Sequence, residues 1–141
     1  MNLYAESSAI LAWLLDEPSA PVVRDLLADA EIVLASDLTL IECDRVLIRA
    51  AALGELTESE AADRHAHLAD AASHWQIMRV AAEIVDRARR PFPEEPIRTL
   101  DAIHIASALT ARSAVAGVKL LSLDERVRRS AKKLGLQVVP A

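Results

Sequence analysis

Four carboxylates stand where a chain can do chemistry. Glu6 ends a short aliphatic run, NLYA, and is followed directly by Ser7 and Ser8. Glu42 falls between Leu38 and Val46 at four-residue spacing, on the mainly apolar stripe of a helical pattern. Asp101 lies in the first turn of the helical segment TLDAIHIASALTARSA, and Asp124 follows the aliphatic run KLLSL. Two carboxylates about 4 Å apart repel by roughly 4 kcal/mol at an effective dielectric of 20, so acids gathered in one cleft call for protons or a cation. All-oxygen ligation with few His or Cys residues selects Mg2+ or Mn2+ over zinc. His65 and His67 are too close together for the usual helical ligand pair, and His74 and His104 stand apart, so all four read as non-ligands.

Each acid also has an ordinary explanation. An acid in a first helical turn is favourable, and Thr99 is a ready cap before Asp101. Ser122 to Glu125 spells a capping box, and Asp124 is itself a good N-cap. Arg45 and Arg49 are natural partners for Glu42. Glu6 reads as a solvated strand end whose serines cap the next helix. What these explanations leave unaddressed is convergence, since two strand ends, one helix start and one helical face bring four acids toward one cleft.

The elements that must position them alternate. NLYA reads as a strand and SAILAWLLDEP as a helix stopped near Pro18; APVVRDLLADA is helical, EIVLAS a strand, and LTLIECDRVLIRAAALG a helix closed by Gly54. A mostly exposed helix starts at Thr57, WQIMRV is a strand, and AAEIVDRARR is a helix. Three of the six prolines fall in PFPEEP, residues 91 to 96, and make a rigid loop. The helix holding Asp101, the strand VKLLSL, the helix DERVRRSAKKLG and a last strand LQVVP complete the chain. Strands joined through helices imply right-handed crossovers, so the expectation is an α/β fold of three layers, α/β/α, around a mainly parallel sheet. Ligands in such sheets bind beyond the carboxyl ends of the strands, where Glu6 and Asp124 fall.

Composition bounds the rest. The 141 residues suit one domain spanning 1–141, and 52% apolar against 3% aromatic content means a core of Ala, Leu, Val and Ile. A net charge of −5 argues against broad nonspecific nucleic-acid binding, which rests on phosphate neutralisation, but leaves room for a local basic patch. One cysteine, Cys43, forms no internal disulfide and reads as a small buried apolar side chain. Residues 1–15 lack the features of a signal peptide and no apolar stretch approaches the ~20 residues of a membrane span, so a soluble cytoplasmic protein is expected.

YAESSAI, LIECDRVL, RTLDAIHIASAL and LLSLDERVRRSAKKLGL resemble, in order and spacing, the four signature segments of the PIN-domain family, over essentially the whole chain. RTLDAIHIA is the most specific of them. Size and the lack of added domains make the VapC-like toxin ribonucleases of toxin–antitoxin pairs the most similar subgroup. The resemblance implies that Glu6, Glu42, Asp101 and Asp124 hold Mg2+ or Mn2+, with Ser8 and Ser122 as supporting hydroxyls. The first acid of the family is usually aspartate, and Glu6 departs from it by one methylene. Also implied are a homodimer and a small cognate antitoxin that covers the acidic cleft with a basic segment.

The expected chemistry is metal-dependent endonucleolytic cleavage of RNA, with Glu42 as a ligand or a water-orienting base. An acidic cleft repels phosphate, so rim cations must hold RNA: Arg98 before Asp101, and Arg126 and Arg129 among the basic residues after Asp124. Stacking of bases is restricted to Tyr4, Trp13, Trp75 and Phe92, most of which read as core. Two rivals stand beside this. A phosphoacceptor receiver domain wants an acid after the third strand and a lysine ending a later one, whereas WQIMRV ends in no acid and Lys119 begins its strand. A catalytically silent PIN-like binding module, disabled by Glu6, is the other.

Overall fold

A computed structural model describes all 141 residues. The elements are β1 (Asn2–Ala5), α1 (Ser7–Leu14), α2 (Ala20–Asp29), β2 (Ile32–Ser36), α3 (Asp37–Ala52), α4 (Glu58–Ala72), β3 (Gln76–Met78), α5 (Ala82–Ala88), α6 (Thr99–Ala114), β4 (Val118–Leu121), α7 (Glu125–Lys133) and β5 (Val138–Val139). The five strands form one wholly parallel sheet in the order β3-β2-β1-β4-β5. The expected three-layer α/β/α architecture is present.

Alternation along each strand divides the core between the two faces. Leu3, Ala5, Val33, Ala35 and Leu121 pack with Ile10 and Leu14 of α1, Val23 of α2, Cys43 and Leu47 of α3 and Leu68 of α4. Tyr4, Leu34 and Leu120, in register across β1, β2 and β4, pack on the opposite face with Ala102, Ile105 and Ala108 of α6 and Val127 and Ala131 of α7. Both faces are covered, which is why the strands read as aliphatic runs rather than as alternating polar and apolar residues.

Local sequence signals fix the helix ends. Thr57 and Glu60 form a reciprocal capping box at α4, and Gly54 and Gly135 take positive φ after α3 and α7. Helix α3 starts at Asp37, one residue before the expected start, because the Ser36 hydroxyl accepts from the Leu38 amide. Thr99 does not cap α6. It is the first helical residue, and Arg98 occupies the N-cap without a side-chain bond. Strand β3 is shorter than WQIMRV suggested, since only residues 76–78 pair with β2 at the sheet edge.

Strand β1 lies between β2 and β4, so the chain leaves β1 toward one side of the sheet and returns through β4 on the other. The carboxyl ends of β1 and β4 therefore border the crevice in which α/β sheets bind ligands. The amide of Glu6 donates to the Leu121 carbonyl at 3.0 Å, tying the two strand ends together at that crevice.

Candidate active site

Three small polar groupings line the crevice. The first belongs to Glu6, which the end of β1 buries to 5% exposure. Ser8 and Ser122 both donate to its Oε2, Ser122 at 2.8 Å. Burial pushes the Glu6 carboxyl above its ordinary pKa, against the nearby His104 and the donated hydroxyl bonds, which pull it down. Ser8 Oγ also accepts the amides of Leu123 and Asp124, at 2.9 and 3.1 Å, so one hydroxyl links Glu6 to the turn carrying Asp124.

The second grouping centres on Glu42, held by α3. Its Oε1 accepts from Ser7 Oγ at 2.7 Å and from His104 Nε2 at 2.5 Å. Burial raises the Glu42 carboxyl, but the hydrogen bonds from His104 and Ser7, with the charge of Arg98, outweigh it and set the net pKa below the ordinary value. An ionised carboxylate only accepts, which assigns the proton to His104 Nε2 and leaves Nδ1 to accept from the Tyr4 hydroxyl at 3.0 Å. Tyr4 is fully buried, and burial raises its pKa so that it stays a neutral donor. The result is a chain from β1 through α6 to α3: Tyr4, His104, Glu42.

The third grouping is an ion-pair bridge. Arg98 Nε lies 3.1 Å from Asp101 Oδ2, and Arg98 Nη2 lies 3.6 Å from Asp124 Oδ2. Asp101 raises the Arg98 pKa through its hydrogen bond and its charge, with further contributions from Asp124 and Glu42. Asp124 Oδ1 caps α7, accepting the amides of Arg126 and Val127, so its structural explanation holds while its second oxygen faces Arg98. A cavity of about 270 Å³ brings Glu42, Arg98, Thr99, Leu100 and Asp101 together.

The expected acids thus share one crevice but not one cluster: as the side chains lie, no three His, Cys, Asp or Glu groups stand close enough to enclose a metal ion. The cation among them is Arg98. The donor chemistry nonetheless suits a hard divalent ion. In Glu6, Glu42 and Asp124 protein donors hold one carboxylate oxygen, the usual way of orienting a metal-binding carboxylate, while Asp101 and Asp124 present Oδ2 to a positive charge.

Several sequence expectations need correction. Glu42 pairs with neither Arg45 nor Arg49, which are exposed; its partners are Ser7 and His104. His104 is not isolated, and its position three residues after Asp101, on the same helical face, was the available signal. The basic residues of α7 are not all free to meet RNA. Arg128 donates to the carbonyls of Ser122 and Pro140, both at 2.7 Å, while Arg129 and Lys133 pair with Glu94. Arg126 and Arg129 line, with Arg98, Asp101 and Glu94, a second cavity of about 350 Å³ beside the first.

Comparison with known proteins agrees with this architecture. The PIN domain profile matches residues 3–133. Ribonuclease VapC46 of Mycobacterium tuberculosis is 34% identical over 137 residues, covering 97% of this chain and 95% of that protein. Ribonuclease VapC45 of the same species is 28% identical, covering 99% and 95%. Among solved structures, VapBC2 of Rickettsia felis bound to promoter DNA superposes with a TM-score of 0.67 at 13% identity, covering 98% of this chain and 97% of that one. A toxin–antitoxin complex from Klebsiella pneumoniae gives 0.66 at 17% identity, covering 99% and 97%. With a profile match running nearly end to end and a relative at 34% identity over almost the full length of both chains, this chain belongs to the PIN domain family.

Proposed function

We propose that the chain is an endoribonuclease of VapC type, the toxin of a toxin–antitoxin pair, and that it hydrolyses RNA phosphodiester bonds with Mg2+ or Mn2+. The observation that carries this reading is the placement of Glu42, Asp101 and Asp124 around one cation at the carboxyl ends of β1 and β4, in a chain 34% identical to a ribonuclease. Asp101, Asp124 and Glu6 would hold the ion, with Glu42 as ligand or base. When bound, the ion neutralises charge on the phosphodiester and lowers the pKa of an attacking water.

The chain's own residues do the remainder. His104 and Ser7 hold Glu42 ionised and fixed, so its carboxylate can orient the attacking water and accept its proton. Ser8 and Ser122 fix Glu6, and the cap on α7 fixes Asp124. Arg126 lines the larger cavity and is available to RNA phosphate; Arg129, paired with Glu94 at 3.4 Å, contributes less positive charge than its sequence position implied. Tyr4 and Phe92 are buried, and Trp13 and Trp75 pack on the core around a hollow that contains none of the four acids, so no aromatic side chain is placed to stack on bases at the site.

One structural neighbour is a toxin–antitoxin complex and another is VapBC2 bound to promoter DNA, which supports a small antitoxin partner for this chain. A homodimer is part of the same reading, with exposed Ile41 and Ile48 of α3 and Leu53 just after it supplying apolar contact area. No helix is long and apolar enough to cross a membrane, and the proposed compartment is the cytoplasm, where the substrate is. The silent binding module is disfavoured because Glu6 is accommodated by two hydroxyls in a formed crevice. The test is incubation of purified protein with a mixed RNA pool: fragments are expected with Mg2+ or Mn2+ and none in EDTA, while no cleavage with either ion by folded, antitoxin-free protein would overturn the reading.

A further inference from the structure

Arg98 differs from the other cations of the crevice in what holds it. Its backbone is fixed, because its carbonyl accepts the Ala102 amide in the first turn of α6. Its side chain is 63% exposed, and the polar contacts of its guanidinium are the two to Asp101 and Asp124. It also lines both cavities, standing between the one that contains Glu42 and the one that contains Arg126 and Arg129. The guanidinium end of both pairs is open to solvent, which weakens them, so a doubly charged ion that the same carboxylates can ligate displaces Arg98 readily.

We propose that Arg98 is a tethered counter-cation, which neutralises the acidic site in the metal-free protein, yields its place to the divalent ion, and then turns into the neighbouring cavity to bind RNA phosphate beside Arg126. The inference rests on the metal-dependent reading above and adds an exchange between two cations to it. Electrostatics gives the exchange its direction. A divalent ion at Asp101 and Asp124 repels the guanidinium, whereas RNA phosphate in the larger cavity attracts it. Arg129 cannot substitute fully, because Glu94 already pairs with it. Loading the ion thereby also loads a phosphate-binding arginine, which couples metal binding to substrate binding.

The test is calorimetric titration of Mn2+ into wild type, Arg98→Gln, Arg98→Lys and Arg126→Gln, each checked for fold by circular dichroism, together with RNA binding in Ca2+. Removing the competing charge in Arg98→Gln is expected to tighten Mn2+ binding about two- to tenfold, the equivalent of one or two exposed ion pairs, and to weaken RNA binding. Arg98→Lys, which keeps a charge, is expected to fall between. Arg126→Gln is expected to weaken RNA binding and leave Mn2+ affinity unchanged. Equal Mn2+ affinity in wild type and Arg98→Gln would overturn the exchange and leave the nuclease reading standing. No Mn2+ binding by either protein would overturn the metal-dependent reading itself.

Discussion

His104 Nε2 lies 2.5 Å from Glu42 Oε1, with the Tyr4 hydroxyl 3.0 Å behind it on Nδ1. A helix, a neighbouring helix on the other side of the sheet and the central strand thus meet in one hydrogen-bonded line. Its end at Glu42 is 25% exposed, while His104 is 1% exposed, so the histidine acts on substrate only through the carboxylate it orients.

His104→Ala is therefore expected to lower kcat about 10- to 100-fold, the usual cost of losing a partner that orients a functional carboxylate, with little change in KM. His104→Gln, which keeps a donor near Glu42, is expected to recover part of that loss. Steady-state kinetics checks this, and a change confined to KM would contradict a positioning role.

Tyr4→Phe removes one hydroxyl from the same line and leaves His104 Nδ1 buried without a donor. An unsatisfied buried acceptor costs about 1–3 kcal/mol, so chemical denaturation should register a loss of that size. An unchanged midpoint would mean that the Tyr4–His104 bond contributes nothing.

Glu6 is buried and its carboxyl is raised above the ordinary value, so ionising it opposes folding when no metal is present. The sign follows from linkage: stability from a raised carboxyl is complete below the unfolded pKa and is lost as pH rises through the folded one. Glu6→Gln, which cannot ionise, is expected to melt higher than wild type in EDTA at neutral pH, by about 2–6 °C, with the gap shrinking on acidification. Adding Mn2+ should stabilise wild type more than the variant. Scanning calorimetry across pH measures both, and a gap that widens toward acid pH would contradict the assignment.

Asp124 carries two duties that separate by substitution. Asparagine keeps the oxygen that accepts the Arg126 and Val127 amides, so Asp124→Asn is expected to fold with near wild-type stability while losing cleavage. Asp124→Ala loses the cap as well and is expected to be less stable by a further ~1 kcal/mol. Equal stability of the two variants would show that the cap is dispensable.

The fold was legible because its signals are local and repeated. Aliphatic runs, the cap at Thr57 and glycines at Gly54 and Gly135 agree with the period of each element, whereas the Ser36 cap of α3 went unread and the misjudged end of β3 is an edge pairing that depends on a neighbour strand. The acids were legible through their places at strand ends and helix starts. The hydroxyls of Ser8 and Ser122 were expected through the family resemblance, but the partners of Glu42 were not legible. Ser7 and His104 are 97 residues apart and meet only through the sheet. Arg98 was visible as a rim cation before Asp101, but its bridge to Asp124 depends on how α6 and α7 dock, which no spacing encodes.

The central claim is that Asp101 belongs to a metal-dependent phosphodiester-cleaving site. Asp101→Asn keeps the shape and an acceptor for Arg98 but removes the charge, and its cleavage of the RNA pool in Mn2+ should be compared with wild type under single-turnover conditions, with melting curves for both. The expected result is a folded variant whose cleavage falls by at least about 100-fold, to the level of wild type in EDTA. Cleavage by folded Asp101→Asn at the wild-type rate would contradict the account.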